Sequence, residues 1–320
     1  MEQKANKLSW VNSPFVTLVN IILSISGYIT SLFTQSKILG YISLGVLVLY
    51  IITITIYVIS RYFSSKKYKS NLKEDYNNKE QKIFDYSHQI STQIVECALK
   101  VKNQKVRDDA HFQTMIKSLC SNIRYLLNSM VNIELNVCIK KIKTDSLMDS
   151  NYIDWKTITV ARCCDFDNER SKADTVPQAI IDNTSFKMIL TNNSPYWASP
   201  DLKNTKESFK KNCDTYKNPD PNYEDYYNST IVVPICIKAS DVSKKVRKLA
   251  ENHANDQHHY LGFLCVDSKQ TFNENSMDFK NLIKLIQIFG SSMYPIFENR
   301  LINELISIEK QSRKDVDDEL

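Results

Sequence analysis

The sequence predicts an α+β domain, with a mainly antiparallel sheet and helices on one face, preceded by a transmembrane helical hairpin. Three observations predict it. Two uncharged, mostly apolar stretches, Phe15 to Phe33 and Ile38 to Ser60, stand near the N-terminus. Four later segments alternate apolar and polar residues or are rich in β-branched ones, as strands are. Before and after them, apolar residues recur at helical spacing. Of 320 residues, 24% are charged and 42% hydrophobic, which is near the globular average and excludes a wholly disordered chain.

The hairpin comes first. A bilayer core of ~30 Å needs about 20 residues of helix, and both stretches reach that length. Thr34 to Lys37 between them is too short to hold a domain. A secretory signal peptide would have a shorter apolar region and a small-residue cleavage site, and the immediate second stretch argues against one. Lys4 and Lys7 precede the first stretch, Lys37 alone lies between, and Arg61, Lys66, Lys67, Lys69 and Lys73 follow with no acid among them. Positive charge stays inside, so both termini are expected in the cytoplasm, at the inner or plasma membrane. The juxtamembrane cluster holds as many charges as the whole-chain excess of +5. The expected partner is therefore anionic membrane lipid and not nucleic acid, which would need basic excess elsewhere.

The expected divisions are a membrane anchor over 1–62, a basic and helical linker over 63–105, a sensor domain over 106–306 and a charged tail over 307–320. Ile83, Ser87, Ile90, Ile94, Cys97 and Val101 repeat in steps of four and three. Heptad spacing of this kind fits a helix paired with a second copy, making a homo-oligomer, or a helix packed on its own domain. Asp108 and Asp109 suit a helix N-terminus, and Phe112, Met115, Ile116, Leu119, Ile123 and Leu126 mark its apolar face. Strands are expected around Ile133 to Lys140, Trp155 to Cys163, Thr230 to Ile237 and Tyr260 to Val266. Phe279, Leu282, Ile286, Phe289 and Met293 mark a last helix that Pro295 should kink or break. The stretch from 165 to 229, with five prolines, reads as a long irregular insert.

Several functions are excluded or disfavoured. Only Gly27, Gly40, Gly45, Gly262 and Gly290 are glycine, and no GxxxxGK[ST] or GxGxxG occurs, so a P-loop, a Rossmann fingerprint and a kinase glycine loop are absent as written. There is no GxSxG, HExxH or CxxC, and no catalytic constellation emerges; an enzyme is not expected. The eight cysteines read as reduced core residues, since the orientation places them in the cytosol. His253, His258 and His259 with Asp256 have zinc-ligand chemistry but read as a solvated loop or helix end, and no metal or cofactor is expected.

The segments Tyr226 to Ile235 (YYNSTIVVPI) and Tyr260 to Phe272 (YLGFLCVDSKQTF), with the helix from Phe279, resemble a GAF domain, the small-molecule sensor module of signalling proteins. The resemblance covers residues 108 to 305. It implies a GAF-like antiparallel sheet and a ligand pocket. Cyclic-nucleotide-binding members carry Asn-Lys, then Phe, then Asp-Glu. Here Lys269 and Phe272 match, Ser268 replaces the asparagine, and Ser276 and Met277 replace the acids, so the lysine-to-carboxylate bridge is missing unless Asp278 substitutes. No cysteine–histidine pairing of the bilin-binding members is present. The implied pocket lies among the insert and strand edges, and its expected ligand residues are Arg162, Thr184, Phe186, Trp197 and Tyr227. Arg162 would either clamp a phosphate or pair with Asp165 or Asp167; the aromatics would either stack on a base or pack the insert. The expected function is a membrane-anchored sensor of a small molecule, such as a nucleotide messenger, that signals to its own hairpin. The architecture is similar to that of bacterial anti-phage membrane effectors. The alternative is a ligand-free, membrane-tethered dimerisation or docking module.

Overall fold

The structure is a computed structural model and describes residues 37–106, 108–131, 133–148, 151–163, 176–212, 215–247 and 257–318. The chain divides into two compact units, Met1–Asn78 and Lys79–Leu320. The expected first span, 15–33, lies outside the described residues. The second, 38–60, falls in helix α1 (Lys37–Lys102), where most side chains up to residue 60 are also outside them. Among the described residues no helix is long and apolar enough to cross a membrane.

In the second unit, the last turns of α1 pack into the domain's own core. Ile90, Ile94, Cys97 and Val101 are buried there. The four-three stripe is thus used within the domain and is not left for a coiled coil with a second copy. Asn299 and Asn303 fix this packing, donating through Nδ2 to the carbonyls of Ala98 (3.2 Å) and Val101 (2.9 Å). Helix α2 (Asp109–Met130) starts where its acids predict. The Asp108 carboxylate accepts from the His111 amide at 2.7 Å, which satisfies one of the orphan donors of the first turn.

The strands are β1 (Asn136–Ile142), β2 (Lys156–Cys163), β3 (Gln178–Ala179), β4 (Trp197–Ser199), β5 (Ser229–Lys238) and β6 (His258–Ser268). They form one antiparallel sheet in the order β3-β2-β1-β6-β5-β4. The expected α+β class, with an antiparallel sheet, is what the chain adopts. Helix α2 covers β1 and β2, and the last helix, α5 (Met277–Asp318), covers β5 and β6. Two glycines permit close approaches. A Cβ on Gly262 would stand 2.2 Å from the backbone oxygen of Lys140, and one on Gly290 of α5 would stand 2.8 Å from Val233 Cγ2 and 2.9 Å from the Pro234 oxygen.

Two expectations are corrected. Of the kink or break expected at Pro295, the break does not occur: the last helix runs through it. Met293, Tyr294, Ile296 and Phe297 around it are all buried, so packing on the sheet outweighs the lost hydrogen bond. The insert is not irregular throughout. It contains β3, β4, α3 (Thr184–Asn192) and α4 (Leu202–Lys211). Asn183 caps α3 by accepting from the Phe186 amide, and Asn193 ends it in the left-handed conformation, φ 50°. These short helices leave the long ones grouped on one sheet face, while α3 packs against β4 and β5.

Candidate functional site

Strand pleating determines which side chains share a face. Val233 meets α5 through Gly290, so its cross-strand partners Leu264 and, beyond, Ile139 face the helices. The alternate residues point the other way. Arg162, Cys138, Cys265 and Val232 form a row across β2, β1, β6 and β5. All four line a polar cavity, or vault, of about 50 Å³. Lys140 and Asp267 lie on the same face and line it too; Gln178, Asn183, Ser185 and Asn218 come from the insert.

The vault's charges are held at fixed places. Asp267 is 6% exposed and accepts from the Thr230 hydroxyl at 2.6 Å. The Lys140 ammonium donates to Gln178 Oε1 at 2.6 Å and lies 5.8 Å from the centre of the Phe186 ring, within cation–π range. Ser185 donates to Asn183 Oδ1 at 2.5 Å, tying the vault's wall to the cap of α3. Burial pushes the Cys265 thiol well above its ordinary value, and the neighbouring Cys138 and Asp267 push it further up. A thiol in that state is a poor nucleophile, whatever the nearby cations contribute.

The five expected ligand residues separate into two groups. Arg162, Phe186 and Tyr227 line the vault. Phe186 also stacks on Phe263, 4.1 Å between ring centres and 7° apart in plane, so one ring serves core and wall. Thr184 instead anchors segment 215–220. Its amide donates to the Lys217 carbonyl at 3.0 Å and its hydroxyl accepts from the Lys217 amide at 2.7 Å. Trp197 belongs to a neighbouring aromatic cluster with Tyr216, Tyr223 and Tyr227. Asp165 and Asp167, the expected alternative partners of Arg162, lie outside the described residues.

Sequence reasoning missed Lys140, Gln178, Asn218, Thr230 and Asp267. The available signal was register: Thr230 and Asp267 are cross-strand partners at the ends of the two strongest apolar runs. Of the histidines, His258 pairs with Asn193 Oδ1 at 2.9 Å and buried His259 with the Tyr294 hydroxyl at 2.8 Å. Among the described residues no group of three potential ligands can hold a metal. Cys97, Cys120, Cys138, Cys163, Cys236 and Cys265 are free thiols.

No model of a known protein family matches the chain, and no curated protein matches it. Solved structures do. The GAF domain of an Acinetobacter phosphoenolpyruvate-protein phosphotransferase is similar at 12% identity and TM-score 0.38, over 67% of this chain and 91% of that one. The phycoerythrobilin-bound GAF domain of a cyanobacterial phytochrome is similar at 13% identity and TM-score 0.38, over 66% and 96%. The type II free methionine-R-sulfoxide reductase of Thermoplasma acidophilum is similar at 14% identity and TM-score 0.33, over 59% and 96%. At these identities and TM-scores the likeness says nothing of this chain's ligand.

Proposed function

We propose that the chain is a membrane-anchored sensor that binds a small molecule in the vault and passes the event to its membrane segment through α5 and α1. The observation that carries this reading is the vault itself. Burying charge costs free energy unless partners satisfy it. Here Asp267, Lys140 and Arg162 are gathered on a sheet face that apolar side chains would fill at less cost. The contacts of Asn299 and Asn303 with the last turns of α1 support the route outward. The anchor rests on the uncharged run 38–60, within which Leu49, Ile52 and Ile56 are exposed, and on the basic cluster after it, suited to anionic lipid. With both termini cytoplasmic, a membrane effector similar to those of anti-phage signalling is the matching biological role.

The docking-module alternative is favoured by one observation: Phe84, Val95 and Leu99 of α1 are large and exposed. A thermal-shift screen of the full chain in detergent separates the two readings. The panel holds cyclic mononucleotides, cyclic dinucleotides, common nucleotides and amino acids. A ligand at a hundred times its dissociation constant adds about 2.7 kcal/mol of stability. A shift that Arg162→Gln abolishes is the expected result. A folded protein that no compound stabilises would favour the docking module instead.

A further inference from the structure

Building on the sensor reading, we propose that the vault takes a small bipolar molecule, carrying an anionic and a cationic group a few Å apart, and that segment 215–220 is the door to it. Arg162 and Lys140 bring positive charge to the vault and Asp267 brings negative charge. All three line one cavity of about 50 Å³, so both signs face the same small space. A bare phosphate or carboxylate would meet Asp267 as well as the cations, and a bare amine would meet Arg162 and Lys140. Like charges set against each other reject a partner of one sign. A molecule with both signs satisfies both.

The holding bonds leave room for it. An ammonium has three donors and a carboxylate about four acceptor sites. Gln178 engages Lys140 through one bond, and Thr230 engages Asp267 through one. Neither contact has to break for a ligand to be held.

Small-molecule sites usually enclose ~300–1,000 Å³, whereas the vault has about 50 Å³ and admits only water-sized occupants as it stands. Beside it is an open groove of about 580 Å³. The two share Gln178, Tyr216 and Asn218, so the wall between them is one layer of side chains. Most of that wall is segment 215–220. It is held by the paired backbone and hydroxyl bonds of Thr184 to Lys217, by the Asn218 amide donating to the Tyr227 hydroxyl at 2.6 Å, and by the Tyr216 ring against Trp197, Phe209 and Tyr223. It belongs to no strand or helix. Releasing Lys217, Asn218 and Tyr216 from these contacts joins vault and groove into a site of ordinary ligand size.

The test uses the full chain in detergent, with the standard L-amino acids as probes at millimolar concentration. Propionate and ethylamine serve as the single-charge halves of L-alanine, and cyclic mononucleotides as the rival class. Thermal shift and amide hydrogen exchange of 215–220 are read together. We expect at least one amino acid to raise the unfolding midpoint while propionate and ethylamine do not. Arg162→Gln and Asp267→Asn should each weaken that binding at least tenfold. The comparison of whole and half probes on the unaltered protein stands even if a variant fails to fold. Thr184→Val, which removes one bond of the door, should raise association and dissociation rates about tenfold each.

Stabilisation by a nucleotide or by propionate, with no response to amino acids, would overturn the bipolar ligand while leaving the sensor reading intact. Binding of an amino acid with unaltered exchange in 215–220 and unaltered rates in Thr184→Val would overturn the door. A folded protein that no probe stabilises would overturn both, and the sensor reading with them.

Discussion

Replacing Gly290 with alanine sets two effects of opposite sign against each other. In an exposed helix interior the change would stabilise by about 1 kcal/mol, because glycine loses more backbone freedom on folding. Gly290 is not exposed; it is where α5 meets β5. The new methyl carbon would lie 2.8 Å from Val233 Cγ2 and 2.9 Å from the Pro234 oxygen. Carbon–carbon contact is optimal at ~3.5–4.0 Å, so the overlap is about 0.7 Å on one side. The valine can rotate, but the proline carbonyl is backbone and can move only if β5 or α5 moves. Overpacking of this kind costs about 1–3 kcal/mol, and the fixed carbonyl puts the cost in the upper half of that range. The net expectation is a loss of about 1–2 kcal/mol after subtracting the propensity gain. Urea unfolding followed by tryptophan fluorescence reads this directly, since Trp155 is buried in the same unit. With a slope of ~2 kcal/mol per molar urea, the midpoint falls by about 0.5–1 M. In a double-mutant cycle, Val233→Ala should recover part of the Gly290→Ala loss beyond additivity, by ~0.5 kcal/mol or more. An unchanged or higher midpoint in Gly290→Ala would refute the reasoning, because it would mean that helix and sheet have slack at this contact.

Other predictions concern backbone fit and charge. Gly262→Ala should be worse than Gly290→Ala, because its methyl meets the Lys140 carbonyl at 2.2 Å in the middle of the sheet; soluble yield and circular dichroism would show whether the chain still folds. Asn193→Ala should cost more than Asn193→Gly. Alanine adds ~1–2 kcal/mol of left-handed strain to the loss of the bonds from Tyr260 and His258, and equal stabilities for the two variants would contradict the assigned φ. At Glu304, burial pushes the carboxyl pKa up, but Lys141, Thr144 and Arg300 more than reverse this and hold it below the ordinary value. A depressed carboxyl contributes its full stability above the unfolded pKa, ~4.3, and loses it as the pH falls through the lower folded value. Glu304→Gln should therefore cost ~1.5–3 kcal/mol near neutral pH and flatten the stability curve below pH ~4.3; an acid limb as steep as that of the unaltered protein would count against this network.

The strands and long helices were legible because their apolar residues keep one period. Leu135, Val137 and Ile139 are buried as their alternation predicts, as are Phe279, Leu282, Ile286, Phe289 and Met293. The same alternation misleads on the opposite face. Polar residues between apolar ones read as solvent-facing, yet Asn136, Cys138, Thr230 and Asp267 are buried too, because the insert lies over them. A second polar layer leaves no period in the strand beneath it. Within the insert, α3 is only nine residues long; Asn183 ahead of Phe186 to Leu190 was a capping signal, but a short one among prolines. The stripe from Ile83 to Val101 is a different case, since the sequence left both of its readings open. A core-facing helix and a coiled coil ask for the same spacing, and only the position of α5 decides between them.

Strand β1 places Lys140 and Lys141 side by side with opposite duties, one toward Gln178 in the vault and one toward Glu304 on the helix side. Sliding the strand by one residue turns every side chain over, and two adjacent lysines on their own would disguise the error. Their neighbours prevent that. A slip one way gives Lys141 to the vault but Ile142 to Glu304. A slip the other way gives Lys140 to Glu304 but Ile139 to Gln178. Either error strands a half-buried polar group against an isoleucine, so the pair acts as an alignment key for the sheet's centre, and the vault is assembled correctly only when the helix face is as well.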